Sequence, residues 1–183
     1  MEPPRLRNII LIGFMGCGKS TIGRSLASTL GFRFADTDEL VAAEARAPIT
    51  KIFEREGEDG FRRRETATLV ALDGTEGQVI STGGGIVTRE ENAPLLRRLG
   101  YIVWLAVGED EIYRRVSRNR DRPLLHTPNP RKTIHDLMAK RDPLYAAAAD
   151  MKVKTEGLSI SDVAYGIAES ARVFFANAAH SGD

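Results

Sequence analysis

The strongest local pattern in the chain lies at residues 13–20, whose sequence GFMGCGKS matches G-x-x-x-x-G-K-[ST] in full. It follows residues 8–12, a short isoleucine-rich run typical of a strand buried on both faces of a parallel sheet. After it, isoleucine and leucine recur every four positions over residues 22–30, and Gly31 follows, which predicts a helix and its end. A strand, a glycine loop and a helix in this order form the context in which the pattern binds phosphate groups.

Such a loop binds phosphates because its glycines let backbone N–H groups surround an anion at the positive end of the next helix. Lys19 adds a cation for the β- and γ-phosphates, and the Ser20 hydroxyl is expected to bind Mg²⁺. A fortuitous glycine turn is the alternative, while a dinucleotide-binding loop fits less well because the third glycine of G-x-G-x-x-G is missing. The loop residues predicted to bind ATP are Gly16, Cys17, Gly18, Lys19, Ser20 and Thr21.

Apolar runs alternate with helical patterns along the rest of the chain, which predicts a three-layer α/β fold. We expect a central parallel sheet of about five strands with helices on both faces. The later strands are predicted at residues 32–35, 79–80, 101–107 and 151–153. The helices are predicted at residues 19–30, 39–44, 48–57, 58–72, 88–99, 109–119, 131–149 with an interruption near Pro143, and 159–178. At 183 residues, the whole chain 1–183 is predicted to form a single domain.

Charge and cysteine content argue against several classes of protein. The 26 Lys and Arg against 25 Asp and Glu leave a formal charge of +1, so no global field draws the chain to nucleic acid or to an anionic membrane. Cys17 is the single cysteine, which excludes an internal disulfide and a zinc site built from cysteines. No run approaches the roughly 20 apolar residues of a membrane helix. We expect a cytoplasmic monomer that binds small molecules and neither nucleic acid nor membrane.

Asp36 and Asp38 lie two residues apart where the second strand is predicted to end. If the strand continues through them, both side chains face the phosphates. One carboxylate can then hold Mg²⁺ through its water shell, and the other can accept a hydrogen bond from an attacking hydroxyl. In the alternative interpretation, both residues only cap the following helix.

Glycines and arginines supply the remaining candidates for the second substrate. Gly83, Gly84 and Gly85 follow a strand, and without side chains they let a ligand pack against backbone, although they also suit a plain turn. Residues 118–131 are rich in arginine and proline without an apolar period, which predicts an exposed, mobile segment. Such a segment suits a lid over phosphates, with a plain charged loop as the alternative. Arg62 lies in a charged helical segment that could simply be a solvated face.

These segments together resemble the shikimate kinase family. The resemblance covers about residues 8–155 and rests on the order and spacing of GFMGCGKSTIG, DTD, FRRRE, TGGG, RPLL and KRDPLY. It implies a P-loop kinase fold with a substrate-binding helical insert at about residues 37–62 and a mobile lid at about residues 118–131. It also implies Mg²⁺- and ATP-dependent phosphorylation of the 3-hydroxyl of shikimate, in the chorismate route to aromatic amino acids.

The resemblance assigns roles around the acceptor. Arg62 and Arg141 grip the substrate carboxylate, a role that suits guanidinium groups because their paired donors match a planar carboxylate. Asp38 binds substrate hydroxyls and acts as the base, while Gly84 and Gly85 contact the ring side. A weak base suffices, since loose phosphoryl transfer depends mostly on positioning and charge neutralisation.

Further roles concern the nucleotide. By resemblance, Arg122 neutralises charge on the transferring phosphoryl group together with Lys19. Arg115 is placed to stack on adenine. Ser20 and Asp36 take the magnesium roles.

Three other interpretations are open. A related small-molecule kinase, such as a gluconate kinase, would share the loop and lid without needing two arginines for a carboxylated ring. A nucleotide-binding regulator would have lost catalysis, against which the intact Lys19, Asp38 and Arg122 argue. A nucleic-acid-binding ATPase would favour a basic stripe and an acidic strand end, whereas residues 79–80 lead into glycines.

Overall fold

The computed structural model describes residues 7–117 and 127–180 of the chain. Within these residues the strands are β1 (Asn8–Ile12), β2 (Arg33–Asp36), β3 (Gln78–Ser81), β4 (Gly100–Ala106) and β5 (Met151–Lys154). The helices are α1 (Lys19–Leu30), α2 (Thr37–Ala45), α3 (Ile49–Leu72), α4 (Asn92–Leu99), α5 (Glu109–Val116), α6 (Pro130–Ala148) and α7 (Ile160–His180).

The described strands form one parallel sheet of five in the order β2-β3-β1-β4-β5. In its centre, Ile9 of β1 pairs with Val79 of β3 and Tyr101 of β4. Every residue of β1 is buried, as expected for a strand covered on both faces. The predicted fold class is therefore confirmed. Because parallel strands end at the same edge, the segments that follow β1, β2 and β3 meet there.

Two apolar clusters support this arrangement. The main core surrounds β1 and β4 and includes residues of α1, α6 and α7. A smaller cluster of Val41, Ile52 and Phe61 lies between α2 and α3, with the rings of Phe61 and Phe53 4.8 Å apart. The two phenylalanines thus pack within the region predicted as the helical insert.

Pro48 and Gly57 affect α3 as predicted, whereas Pro143 does not interrupt α6. α3 follows Pro48 and is interrupted at Gly57, whose φ of 69° and ψ of −176° separate the two predicted helices. α6 runs through Pro143 without the predicted interruption. On either side of this proline, Arg141 and Tyr145 are both hydrogen-bonded to the turn after β3, which holds the helix in place.

Two helix starts differ from the predictions by two residues or more. α2 begins at Thr37, because the Asp36 side chain accepts a hydrogen bond from the Asp38 N–H at 3.0 Å and caps the helix. The predicted α4 start at Thr88 is wrong, since the Thr88 hydroxyl donates to the Gly85 carbonyl and closes a short 3₁₀ turn. α4 begins only at Asn92. Across residues 7–117 and 127–180, no helix is both long and apolar enough to cross a membrane.

Asn8, the first residue of β1, joins three segments at the edge of the sheet opposite the glycine loop. Its Nδ2 donates to the carbonyl oxygens of Thr75 at 2.8 Å and Leu99 at 3.1 Å. Its Oδ1 accepts from the Gln78 N–H at 3.0 Å. The side chain is buried, so these bonds replace water for three backbone groups.

Asn8→Ala is therefore expected to lower the free energy of unfolding by about 2–4 kcal/mol, because two buried backbone groups and one partly buried one lose their partner. Asn129→Ala is the matched control: Asn129 is exposed and caps α6 through one bond from the Lys132 N–H at 3.1 Å. Its loss should cost about 1 kcal/mol. Urea denaturation of both variants measures the difference, and equal losses would contradict the role given to Asn8.

Candidate active site

The carboxyl ends of β1, β2 and β3 border a cavity of about 320 Å³. Three predicted groups meet in it, namely the glycine loop, the pair of aspartates and the glycine turn after β3. The residues lining it are Met15, Gly16, Gly18, Lys19, Ser20, Thr21, Asp36, Asp38, Ser81, Thr82 and Gly84.

Lys19 is held by its own loop. Its Nζ donates to the carbonyl oxygens of Gly13 at 2.8 Å and Phe14 at 2.9 Å, and the side chain is only 8% exposed. The loop can lie this close to the sheet because Gly13 has φ 143° and a Cβ there would lie 2.5 Å from the Leu105 carbonyl oxygen. The ammonium group is thus hydrogen-bonded to loop carbonyls, and a phosphate that binds Lys19 has to replace them as its acceptors.

Cys17 takes part in the loop through its backbone. Its N–H donates to the Phe14 carbonyl at 3.3 Å, and its side chain is 1% exposed and belongs to the main core. The Cys17 Sγ accepts from Lys19 Nζ at 3.6 Å. The thiol does not line the cavity, so a role of Cys17 in binding a nucleotide would fall to its N–H.

Ser20 and Asp36, the predicted magnesium residues, are in direct contact. The Ser20 hydroxyl donates to Asp36 Oδ2 at 2.8 Å and lies 3.4 Å from the Ser81 hydroxyl. Hydroxyl and carboxylate oxygens are ligands that fit Mg²⁺, which commonly keeps water and substrate phosphates as its other ligands. Among the described residues, no group of three or more His, Cys, Asp or Glu side chains could hold a metal ion. The oxygens present fit a Mg²⁺ ion that is bound together with a nucleotide.

Asp38 lies in the first turn of α2, so the strand does not continue through it and the condition on which both carboxylates were expected to face the phosphates is not met. It nevertheless lines the cavity together with Asp36. A Cβ on Gly83 would lie 2.9 Å from Asp38 Oδ1 and 2.0 Å from Glu65 Oε1, so the two carboxylates approach each other over this glycine. The Gly83 N–H donates to the Thr37 hydroxyl at 3.0 Å, which fixes the turn against α2.

Glu65 is a site residue that the sequence analysis missed. It is fully buried on α3, and its Oε2 accepts from Arg62 Nη1 at 2.6 Å. Burial raises the pKa of Glu65, Arg62 opposes this rise, and Asp38 adds to it. The one signal in the sequence was the i, i+3 spacing from Arg62, which is common on solvated helices as well.

Arg62 lies against the backbone of Gly85. A Cβ there would lie 2.2 Å from Arg62 Cζ, so only glycine leaves room for the guanidinium. Arg62 is 7% exposed and also binds Glu58 Oε1 through Nη2 at 2.9 Å. Burial acts to lower the pKa of Arg62, but the ion pairs with Glu65 and Glu58 raise it above its ordinary value. The interpretation of Arg62 as part of a solvated face is excluded.

Arg141 reaches the same turn from α6. Its Nη1 donates to the Gly84 carbonyl at 3.3 Å, and the Tyr145 hydroxyl donates to the same oxygen. Arg141 is 4% exposed, and burial lowers its pKa, with Arg62 contributing in the same direction. A Cβ on Gly84 would lie 3.2 Å from the Met15 nitrogen, so the turn also packs against the glycine loop. The structure thus brings both predicted arginines to the glycine turn.

A larger cavity of about 720 Å³ lies beside α5, which contacts the glycine loop through Arg115. Arg115 forms part of its wall, donating from Nη1 to the Gly16 carbonyl at 3.2 Å and from Nε to Glu111 Oε1 at 2.6 Å. The residues lining this cavity are Gly108, Glu109, Asp110, Glu111, Arg114, Arg115, Glu156 and Gly157. Its position next to the loop leaves room for a nucleoside beyond the phosphates.

The predicted lid lies largely outside the described residues. Positions 118–126 are not described, and Arg122 is among them. Pro130, which was expected in the mobile segment, begins α6 one residue before the start predicted at Arg131, because Asn129 caps this helix and Pro130 occupies its first turn.

Comparisons with known proteins agree with the motifs. A family model described as shikimate kinase matches residues 15–172. The shikimate kinase of Chromohalobacter salexigens is 50% identical over 151 residues, which cover 82% of this chain and 84% of that protein. The structure of a shikimate kinase from Acinetobacter baumannii in complex with shikimate superposes with a TM-score of 0.88 at 38% identity, covering 95% of this chain and 96% of that one.

A more distant structural match, outside the family, shares the fold of this chain. A gluconokinase from Sinorhizobium meliloti superposes with a TM-score of 0.66 at 15% identity, covering 99% of this chain and all of that one. At this identity the likeness shows the fold alone. The match to the family model and the identity to curated relatives confirm the resemblance predicted from the six motifs. This chain belongs to the shikimate kinase family of ATP-dependent kinases.

Proposed function

We propose that this protein transfers the γ-phosphate of ATP to the 3-hydroxyl of shikimate, giving shikimate 3-phosphate and ADP. Membership of the family supports the proposal. The observation that carries it is the meeting of two buried arginines, Arg62 and Arg141, at the turn that borders the phosphate loop. Arg62 pairs with Glu65 and Glu58. The Arg141 guanidinium instead donates to the neutral carbonyl of Gly84, so an acceptor that brings a carboxylate supplies an anionic partner for Arg141.

The nucleotide occupies both cavities in this proposal. The β- and γ-phosphates lie in the smaller one, where Lys19 exchanges the carbonyls of its own loop for phosphate oxygens. The Thr21 hydroxyl contacts the α-phosphate, and the base lies in the larger cavity against Arg115. Ser20 and Asp36 would hold Mg²⁺, which when bound neutralises charge on the phosphates.

The acceptor lies across the glycine turn from the phosphates. Arg62 and Arg141 bind its carboxylate, and Gly84 and Gly85 contact the ring through their backbone. This fixes the ring so that its 3-hydroxyl faces Asp38, which accepts the hydroxyl proton as the phosphoryl group leaves ADP.

Further parts of the proposal come from the sequence. Arg122, outside the described residues, would stabilise the transferring phosphoryl group, as part of a lid over residues 118–131. A monomeric state, a cytoplasmic location, a single domain and the absence of nucleic-acid and membrane partners stay predictions.

The direct test is ADP release from Mg-ATP by the purified protein with shikimate, with gluconate or without an acceptor. The proposal expects release that depends on shikimate alone. ATP binding without shikimate-dependent release would withdraw the substrate assignment and favour a regulator that has lost catalysis.

Asp38→Asn is expected to lower kcat by about 10²- to 10⁴-fold, because the amide cannot accept the hydroxyl proton. The Kd for ATP should change by less than about threefold, since Asp38 contributes no phosphate donor. Asp73→Asn is the matched control, an exposed aspartate that pairs with Arg98. Steady-state kinetics and nucleotide binding test both variants, and near-normal turnover would remove Asp38 from the role of base.

Arg141→Lys is expected to raise the KM for shikimate by about ten- to a hundredfold, because an ammonium group keeps the charge and loses the paired donors. The KM for ATP should stay within about twofold of the wild-type value. Arg131→Lys, on the same helix but exposed and paired with Asp110, serves as the control. A KM for shikimate that rises equally in both variants would argue against carboxylate binding by Arg141.

A further inference from the structure

The carbonyl oxygen of Gly84 accepts hydrogen bonds from two side chains of α6. Arg141 and Tyr145 lie four residues apart, so the helix presents them on one face, and both donate to this oxygen. The Arg141 bond is long at 3.3 Å, and in the proposed function this guanidinium turns its donors to the substrate. The Tyr145 hydroxyl is the donor that can remain in place when the site is occupied.

Tyr145 is itself held firmly. The side chain is fully buried, and its ring packs near Trp104 with the centroids 5.8 Å apart. Burial raises the pKa of Tyr145 above its ordinary value, which favours the protonated hydroxyl as a hydrogen-bond donor. The hydroxyl therefore acts as a fixed point for the turn after β3.

The orientation of the Gly84 carbonyl sets that of the next N–H. In a trans peptide the C=O and the following N–H point in opposite directions, so a carbonyl anchored to α6 turns the Gly85 N–H away from α6. Within residues 7–117 and 127–180, neither the Gly84 nor the Gly85 N–H has a hydrogen-bond acceptor. Gly85 is buried, and a buried N–H without an acceptor is rare in proteins unless water or a ligand supplies one.

The same glycine carries the Arg62 guanidinium against its Cα. A cation and a neighbouring N–H at one position form a pair of donors that suits a carboxylate oxygen. We propose that Tyr145 is a positioning residue, whose hydroxyl holds the peptide between Gly84 and Gly85 so that the Gly85 N–H faces the substrate carboxylate. This proposal rests on the proposed function, because it takes shikimate as the ligand of the turn.

The hydroxyl has a second effect on the same site. With Tyr145 bonded to the Gly84 carbonyl, this oxygen keeps a partner when Arg141 leaves it for the substrate. Without the hydroxyl, Arg141 would be the carbonyl's remaining side-chain donor among the described residues, and the substrate would compete with the protein for it. Both effects act on the binding of shikimate and leave the nucleotide contacts unchanged.

Tyr145→Phe tests the proposal, since it keeps the ring against Trp104 and removes the donor alone. We expect the KM for shikimate to rise about five- to tenfold, with kcat and the KM for ATP within about twofold of wild type. Fluorescence of Trp104, the single tryptophan of the chain, titrated with shikimate without ATP, should give the same loss of affinity. Tyr145→4-aminophenylalanine, which restores a donor, should bring the KM back to within about threefold of wild type.

Tyr101→Phe is the matched control. Tyr101 is also buried, and its hydroxyl is hydrogen-bonded to the Ser170 hydroxyl at 2.7 Å on the α7 side of the sheet. Its loss should leave the KM for shikimate unchanged. A wild-type KM in Tyr145→Phe, an equal change in both phenylalanine variants, or loss of the folded state by Tyr145→Phe would overturn the positioning role. Absence of shikimate-dependent ADP release in the wild-type protein would instead overturn the proposed function.

Discussion

Two guanidinium groups, those of Arg62 and Arg141, are buried together at one end of the sheet. Removing such a charge from water costs several kcal/mol unless polar partners replace the water, so the surroundings must supply acceptors. Glu65 and Glu58 do so for Arg62, and the Gly84 carbonyl does so for Arg141. The glycine turn follows from this need, because side chains at residues 83 and 85 would occupy the space taken by the carboxylates and the guanidinium. The need of these two buried guanidinium groups for hydrogen-bond acceptors thus connects β3, α3 and α6.

The parts that could be predicted from the sequence are those set by local pattern. The loop at residues 13–20 and the interruption of α3 at Gly57 depend on backbone torsions that glycine permits and on nearby residues. The roles of Asn8, Glu65 and Tyr145 could not be predicted, since their partners come from distant segments or from a burial that no pattern reveals. Tyr145 meets Gly84 across 61 residues, and Asn8 meets Leu99 across 91. The residue type alone, whether asparagine, glutamate or tyrosine, does not identify such a partner.

Asp38 shows a prediction that held in part. Its place in the cavity beside Asp36 was expected only if the strand continued through both residues, yet α2 begins between them because Asp36 caps it. The capping bond ties the Asp38 N–H to a carboxylate oxygen of Asp36. The proposed metal residue and the proposed base are therefore parts of one helix start, in which the Asp36 carboxylate holds the backbone of Asp38. The capping interpretation and the functional one turn out to be compatible.

The described cations of the site each have an internal partner. Lys19 lies on the carbonyls of Gly13 and Phe14, and Arg62 lies on Glu58. Binding of an anion at these groups is therefore an exchange of acceptors, and the anion gains affinity only where its own contacts outweigh the internal ones that it displaces. A nucleotide and a carboxylated ring together can replace several of these internal acceptors at once. These internal partners compete with every anion that reaches Lys19 or Arg62, so hydrogen bonds within the fold itself contribute to the selectivity of the proposed site.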